Sequence, residues 1–304
     1  MIAISFGIFA ALCWGFHDLI AKRFANETGP FRLAFWVMAL GIAVMLPIIL
    51  WRGTLWQASA PGFLIAAIMG VFYAGAVGSL FKAFSLAPVS VVGPFTAGYP
   101  ALVVFWNIAN GLSPSVMDWL ALALAGCGAF VVARTGPKDG GLNSIAPGNL
   151  PTVIAASLIA SLCFASTIVL GQWGAIAIGQ YETTFVSRFP GALVLLPLAY
   201  TERRGMPGIS KFAISKLAIS KFAISKFAWG GIILMAVLDV AAVSAVNASG
   251  LFPGSEYSAM GISLYGGLSV LLAMLFLKEK VSVGQWLGIA MVVLGVALLG
   301  WPKG

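Results

Sequence analysis

Residues 1–50 align with residues 151–200 without a gap at a constant offset of 150, and residues 82–134 align with 249–301 at an offset of 167. The first register pairs Leu12 with Leu162, Cys13 with Cys163, Phe35 with Phe185, Gly41 with Gly191 and Pro47 with Pro197. The second pairs Val103 with Val270, Ser115 with Ser282, Trp119 with Trp286 and Gly128 with Gly295. Single identities between apolar segments arise by chance. A register held over fifty residues, twice, does not. The chain is built from two related halves, and in a sequence this apolar that points to a polytopic membrane fold with an internal repeat.

Of the 304 residues, 61% are hydrophobic and 9% are charged, with a mean hydropathy of +1.02. Soluble domains carry about 25% charge, so no water-soluble fold can bury this much apolar surface. The apolar runs are long and continuous, which fits spanning helices and excludes the short alternating strands of a barrel. The net charge of +8 is concentrated between the runs, where it reports topology and not a nucleic-acid partner. Cys13, Cys127 and Cys163 fall inside apolar runs and give neither a disulfide framework nor metal spacing. The stretch from Ile2 to Lys22 is too long for a cleaved leader and reads as the first span.

Ten spans are expected, near 2–22, 31–51, 61–86, 88–110, 117–134, 150–178, 183–200, 227–250, 255–277 and 282–300. Five fall in each half, 1–137 and 145–304, and an odd number forces the halves into opposite orientations. One side receives Lys22, Arg23, Arg32, Arg134, Lys138, Arg203, Arg204, Lys278 and Lys280, while the other has Arg52 and Lys303. The basic side is expected in the cytoplasm, which puts both termini outside. The tract Ile209–Ala228 repeats ISKFA-like units and accounts for the change of offset from 150 to 167. A five-residue period advances about 140° per step on a helix, so its lysines line no single face. It is expected to be a low-complexity insertion, 209–228, at the cytoplasmic surface, where a basic cluster can meet anionic lipids.

Leu12-Cys13-Trp14-Gly15 opens span 1, Ala87-Pro88-Val89-Ser90 links spans 3 and 4, and Lys278-Glu279-Lys280 precedes Gln285-Trp286-Leu287-Gly288 and Leu294-Gly295. In these residues the chain resembles the EamA-type branch of the drug/metabolite transporter (DMT) superfamily, over nearly its whole length outside 209–228. Leu112 stands where the first half would match Glu279. The resemblance implies an all-α protein of ten transmembrane helices in two inverted five-helix repeats. It also implies a central cavity walled by helices 1, 3, 4, 6, 8 and 9, in a bacterial inner membrane.

Polar groups inside the membrane are costly and mark candidate sites. Asp239 is the deepest acid, mid-span 8, and suits a cation, amine or proton site or a structural pair. Trp14, His17 and Asp18 share one face of span 1. His17, the one histidine, is a candidate coupling residue or a local hydrogen-bonded partner of Asp18. Lys82 is expected to snorkel to the basic side or to pair with Asp18, and Arg188 to pair with Glu182 or Glu256 or to take a substrate carboxylate. Pro94 and Pro100 flank Tyr99 in span 4, and Tyr265 stands among glycines in span 9, which gives each half a bendable centre with one phenol. Asn247, Ser166 and Thr167 are further candidate liners.

No phosphate loop, HExxH or nucleophile–base set is present in the sequence, so neither an enzyme nor a cofactor is expected. The leading expectation is a monomeric secondary transporter exporting small metabolites, amino acids first, by alternating access. Asp239 and Arg188 would supply the two signs that a zwitterion needs. Proton-coupled efflux of cationic drugs and a non-transporting membrane scaffold stand as alternatives. Lipids, protons and a small-molecule substrate are the expected partners, and nucleic acid is not.

Overall fold

The computed structural model describes residues 2–96, 99–135, 145–202, 226–278 and 281–299. The tract 209–228 lies almost wholly outside them. The first half contains α1 (Ile2–Thr28), α2 (Pro30–Arg52), α3 (Ala60–Leu86), α4 (Val89–Thr96), α5 (Tyr99–Ala109) and α6 (Val116–Arg134). The second contains α7 (Leu150–Ile178), α8 (Gln180–Thr201), α9 (Lys226–Ser249), α10 (Ser258–Ile262), α11 (Leu264–Leu277) and α12 (Val283–Leu299). With α4–α5 and α10–α11 each counted as one unit, the described residues form ten units, five to a half. Among the described residues, α1, α2, α3, α7, α9 and the stretch Ser258–Leu277 are long and apolar enough to cross a membrane. The expected spans match these units to within a few residues, except that α1 extends to Thr28.

The divided units follow from local chemistry. Pro100 is the second residue of α5 as described, and a proline within a span removes a backbone N–H and permits a bend. Pro94 lies within α4. The carbonyl of Thr96 at the end of α4 accepts a hydrogen bond from Ser161 Oγ of α7 at 3.2 Å. In the second half the helix is interrupted at Ser263, whose hydroxyl returns to the Met260 carbonyl at 2.6 Å. The fifth helices begin alike. Ser115 with Asp118 forms a capping box at α6, and Ser282 with Gln285 forms its counterpart at α12, three residues apart in each case.

Packing follows a two-fold pattern set by the repeat. The helix α6 lies against α12, α2 against α8, α3 against α7, and α1 against α9. Repeat partners make matched contacts. A methyl group at Gly128 would fall 2.6 Å from the Gly288 carbonyl oxygen, and one at Gly295 would fall 2.7 Å from that of Ala121. Likewise Gly41 faces Arg188, while its mate Gly191 faces Met38, and Arg188 Nη1 lies 3.5 Å from Met38 Sδ. Small residues let the backbones close up where lipid offers no hydrophobic drive to association.

The antiparallel pair α2–α8 is tied at both ends. At one end the backbone N–H groups of Phe31 and Arg32 donate to the Glu202 carboxylate, at 3.4 and 3.1 Å, and Arg32 Nε donates to the Ala199 carbonyl at 3.3 Å. At the other, Arg52 Nε donates to Glu182 at 3.1 Å, joined by the Thr54 hydroxyl. Adding 150 to Arg32 gives Glu182, and adding 150 to Arg52 gives Glu202. The two clasps are therefore repeat mates with their charges exchanged. In both, a carboxylate packs over a helix-initiating glycine, Gly29 or Gly179, each at φ +93°. A Cβ there would collide with the carboxylate. Burial pushes the Glu202 carboxyl above its ordinary value, and the hydrogen bonds from Arg32 and Phe31, with the charges of Arg32 and Lys82, offset only part of that.

Gly128→Leu is expected to pry α6 from α12 and lower the thermal midpoint in detergent by several degrees. Gly126→Ala, where nothing lies within 4 Å, is expected to leave it unchanged or higher. Equal midpoints for the two variants would contradict the close backbone approach.

Candidate functional site

The centre of the molecule is a cavity where the two halves meet. It is lined by Trp14, His17 and Asp18 of α1, Tyr73, Val77, Leu80 and Phe81 of α3, Tyr99 of α5, Phe164 of α7 and Tyr265 of α11. Its volume is about 20 Å³, room for a single water and no more. As it stands, the cavity is smaller than any small-molecule solute. Phe164 fills the middle, its ring centroid 5.5 Å from Tyr99, 6.1 Å from Tyr73 and 6.2 Å from Trp14. Phe164 is the repeat mate of Trp14, and the two tilted rings meet at the cavity.

Beside this aromatic wall lie two polar networks. In the first, the carboxylate of Asp239 on α9 accepts from Trp14 Nε1 at 3.3 Å, from the Tyr73 hydroxyl and from Arg188 Nη1 of α8. The Arg188 guanidinium also sits 5.1 Å from the centre of the Tyr73 ring. Asp239 and Arg188 are fully buried, and an isolated charge at such depth would be untenable. Each is tolerated because the other neutralises it. In the second network, His17 Nδ1 and the Tyr265 hydroxyl both bond Asp18, the former at 2.7 Å. His17 Nε2 is buried and has no hydrogen-bond partner among the described residues. His17 is the one cavity-lining residue with such an unmatched atom.

The helical spacing of Trp14, His17 and Asp18 does bring all three to the cavity, and Tyr99 and Tyr265 join them from the divided units. Other expectations need correction. Arg188 pairs with Asp239 and not with Glu182, which is taken by Arg52. Asp239 stands behind Trp14 and Tyr73 and is not part of the cavity wall. Lys82 does not bond Asp18, whose partners are His17 and Tyr265; it lies at the Glu202 end of the bundle. Ser166 and Thr167 turn back onto the carbonyls of Leu162 and Cys163, four residues earlier, as hydroxyls in helices commonly do. Ser166 instead borders an apolar crevice between α3, α5 and α7. Asn247 ties α9 to α8 through Thr184 Oγ1 at 3.0 Å. Pro100 is buried in α5, next to Tyr99.

Sequence reasoning missed Tyr73, Phe81 and Phe164. Tyr73 carried a usable signal, because a phenol in the middle of a span needs a partner. Phe164 was marked by the repeat register as the mate of Trp14.

Arg188→Gln is expected to destabilise the protein by about 3–5 kcal/mol, because it strands a buried carboxylate. Asp239→Asn should cost a similar amount by stranding the guanidinium. Replacing both residues with leucine should recover most of the loss, as read from thermal unfolding in detergent or lipid. A double variant no better than the worse single would show that the pair is not the mutual neutraliser described.

The EamA-like transporter family model matches residues 1–134 and again residues 151–301. The chain is 25% identical over 316 residues to the Listeria innocua protein named "Putative sugar uptake protein lin0215", covering 99% of each. A solved structure titled "Crystal structure of protein" is similar in fold, with a TM-score of 0.70 at 18% identity over 98% of this chain and 96% of that one. With both halves matched in turn, and with polar networks meeting where those halves join, the chain belongs to the EamA-like transporter family of the DMT superfamily, a family of multi-span membrane transporters and not of enzymes.

Proposed function

We propose that this protein moves small, neutral, polyhydroxylated solutes of the monosaccharide class across a bacterial inner membrane by alternating access. One observation carries the reading. The central cavity offers aromatic faces, phenol hydroxyls and an unpartnered imidazole nitrogen, while the deepest full charges, Arg188 and Asp239, are tied to each other behind its wall. A sugar ring presents C–H faces to aromatic side chains and hydroxyls to phenols, carboxylates and imidazole. A zwitterion or a cation needs free charge, and both Asp239 oxygens already have partners. The name of the Listeria relative supports the same solute class.

Amino-acid export is the second reading. Arg188 Nε and Nη2 have no hydrogen-bond partner among the described residues, so a carboxylate could dock there if Trp14 and Tyr73 moved aside. Cationic-drug efflux has less support, since the carboxylate it would use is occupied. A carrier of this kind works in whichever direction the gradients set, so uptake and export are one mechanism. The end bearing Lys22, Arg32 and Glu202 faces the cytoplasm, both termini lie outside, and a single chain is the working unit. Protons couple through His17, whose Nδ1 is held by Asp18 while Nε2 remains available at the cavity.

The test is a panel of radiolabelled monosaccharides and amino acids in reconstituted vesicles. Sugar counterflow is expected, falling about tenfold in Phe164→Ala, the equivalent of the ~1.4 kcal/mol that one aromatic contact supplies. Amino-acid flux without sugar flux would overturn the reading in favour of the second. In the same vesicles a pH gradient is expected to drive accumulation by the wild type, and His17→Gln is expected to equilibrate solute without accumulating it. Wild-type accumulation indifferent to the gradient would remove the proton from the mechanism.

A further inference from the structure

Lys22 and Gln172 occupy the same repeat position, 150 residues apart, each six residues before the end of the first helix of its half. Both reach across to the junction of the third and fourth units of their own half. Lys22 Nζ donates to the carbonyls of Phe84 at 2.7 Å and Ala87 at 2.8 Å, at the end of α3. Gln172 Nε2 lies 3.0 Å from Ser249 Oγ, 2.9 Å from Ser258 Oγ and 3.1 Å from the Ser255 carbonyl, between α9 and α10. In the 167-residue register the two target stretches coincide: 82–91 maps onto 249–258. The inverted repeat puts one contact at each end of the molecule.

Both contacts hold chain segments that continue into the cavity wall. Leu80 and Phe81 line it, and Phe84, one turn further on, is what Lys22 holds. At the other end Gln172 holds α10, which leads through Ser263 into Tyr265 of the cavity wall. There the chain also closes by backbone contact: a Cβ at Gly250 would fall 2.7 Å from Cβ of Gln172. The clasps of Arg32 with Glu202 and of Arg52 with Glu182 tie α2 to α8 at both ends.

We propose that Lys22 and Gln172 are matched gate residues that position the transport cycle, each latching one end and releasing in alternation. The proposal rests on the alternating-access reading above. The latches are chemically unequal. An ammonium on two carbonyls makes charge-assisted hydrogen bonds. The neutral amide has two N–H groups for three acceptors, so one acceptor always goes unserved. The Lys22 end is therefore the more firmly shut, and the resting protein opens more readily at the Gln172 end.

The test places a single reporter, Val77→Cys, on the cavity wall of a chain with Cys13, Cys127 and Cys163 replaced by alanine. A membrane-impermeant maleimide is applied from either side of oriented vesicles, with no solute present. Lys22→Met is expected to raise labelling from the Lys22 side by about fivefold or more, the lower range of coupling between sites, and to lower it from the other. Gln172→Met should do the reverse. The exchange Lys22→Gln with Gln172→Lys keeps hydrogen-bonding capacity at both positions, so it remains informative where a methionine variant fails to fold. It is expected to invert the preference of the parent. Labelling that stays unchanged, or that shifts to the same side in both single variants or in the exchange, overturns the proposal. Because labelling is read without solute, a protein that gates as expected yet moves no sugar would sink the substrate reading and leave this one standing.

Discussion

A carboxylate and a guanidinium buried together in the middle of a helical membrane bundle constrain everything around them. Neither Asp239 nor Arg188 is tolerable there without the other, so α8 and α9 must meet at that depth and in that rotation. Trp14 and Tyr73 donate to the carboxylate lone pairs that Arg188 leaves open, which brings α1 and α3 to the same point. Four helices from both halves are thereby fixed around one charge pair. The cavity forms on the far side of Trp14 and Tyr73, so the pair shapes the wall without being part of it.

The scaffold obeys the repeat, and the chemistry departs from it. Gly128 with Gly288 and Gly295 with Ala121 are matched contacts, as are the capping boxes at α6 and α12. Yet the mate of Arg188 is Met38, the mates of His17 and Asp18 are Thr167 and Ile168, and the mate of Trp14 is Phe164. Packing demands shape, which two similar halves supply equally. Recognition needs a cavity that is not symmetric, because a small solute has no two-fold axis. The clasps show how far substitution can go while function at a position is kept: Arg32 and Glu202 exchange charge with Glu182 and Arg52, and each end still has a carboxylate over a glycine with an arginine nearby.

The ten units were legible because charge, proline and glycine bound each apolar run, and helix periodicity placed Trp14, His17 and Asp18 on one face. The partner of Arg188 was not legible. Sequence proximity favoured Glu182, whereas the partner lies 51 residues away on a helix whose rotation only packing determines. Ser166 and Thr167 misled for a different reason. A hydroxyl in a helix can satisfy itself on the carbonyl one turn back, so polarity in a span does not by itself mark a cavity. Tyr73 was overlooked although a mid-span phenol is seldom idle. In the sequence Lys22 is one of many basic residues on its side, and only the contact geometry of its repeat mate, Gln172, sets it apart.

Aromatic residues dominate the centre. Rings fill a small cavity with few rotatable bonds and much buried area. Phe164, Trp14, Tyr73 and Tyr99 collapse onto one another and leave about 20 Å³. On the sugar reading proposed above, a solute would exchange ring–ring contact for ring–solute contact of similar kind. A charged solute would have to part Asp18 from His17 and Tyr265 at the wall, or Asp239 from Arg188 behind it, before it met a full charge. On that reading, what the wall can replace with itself is what it can accept at little cost.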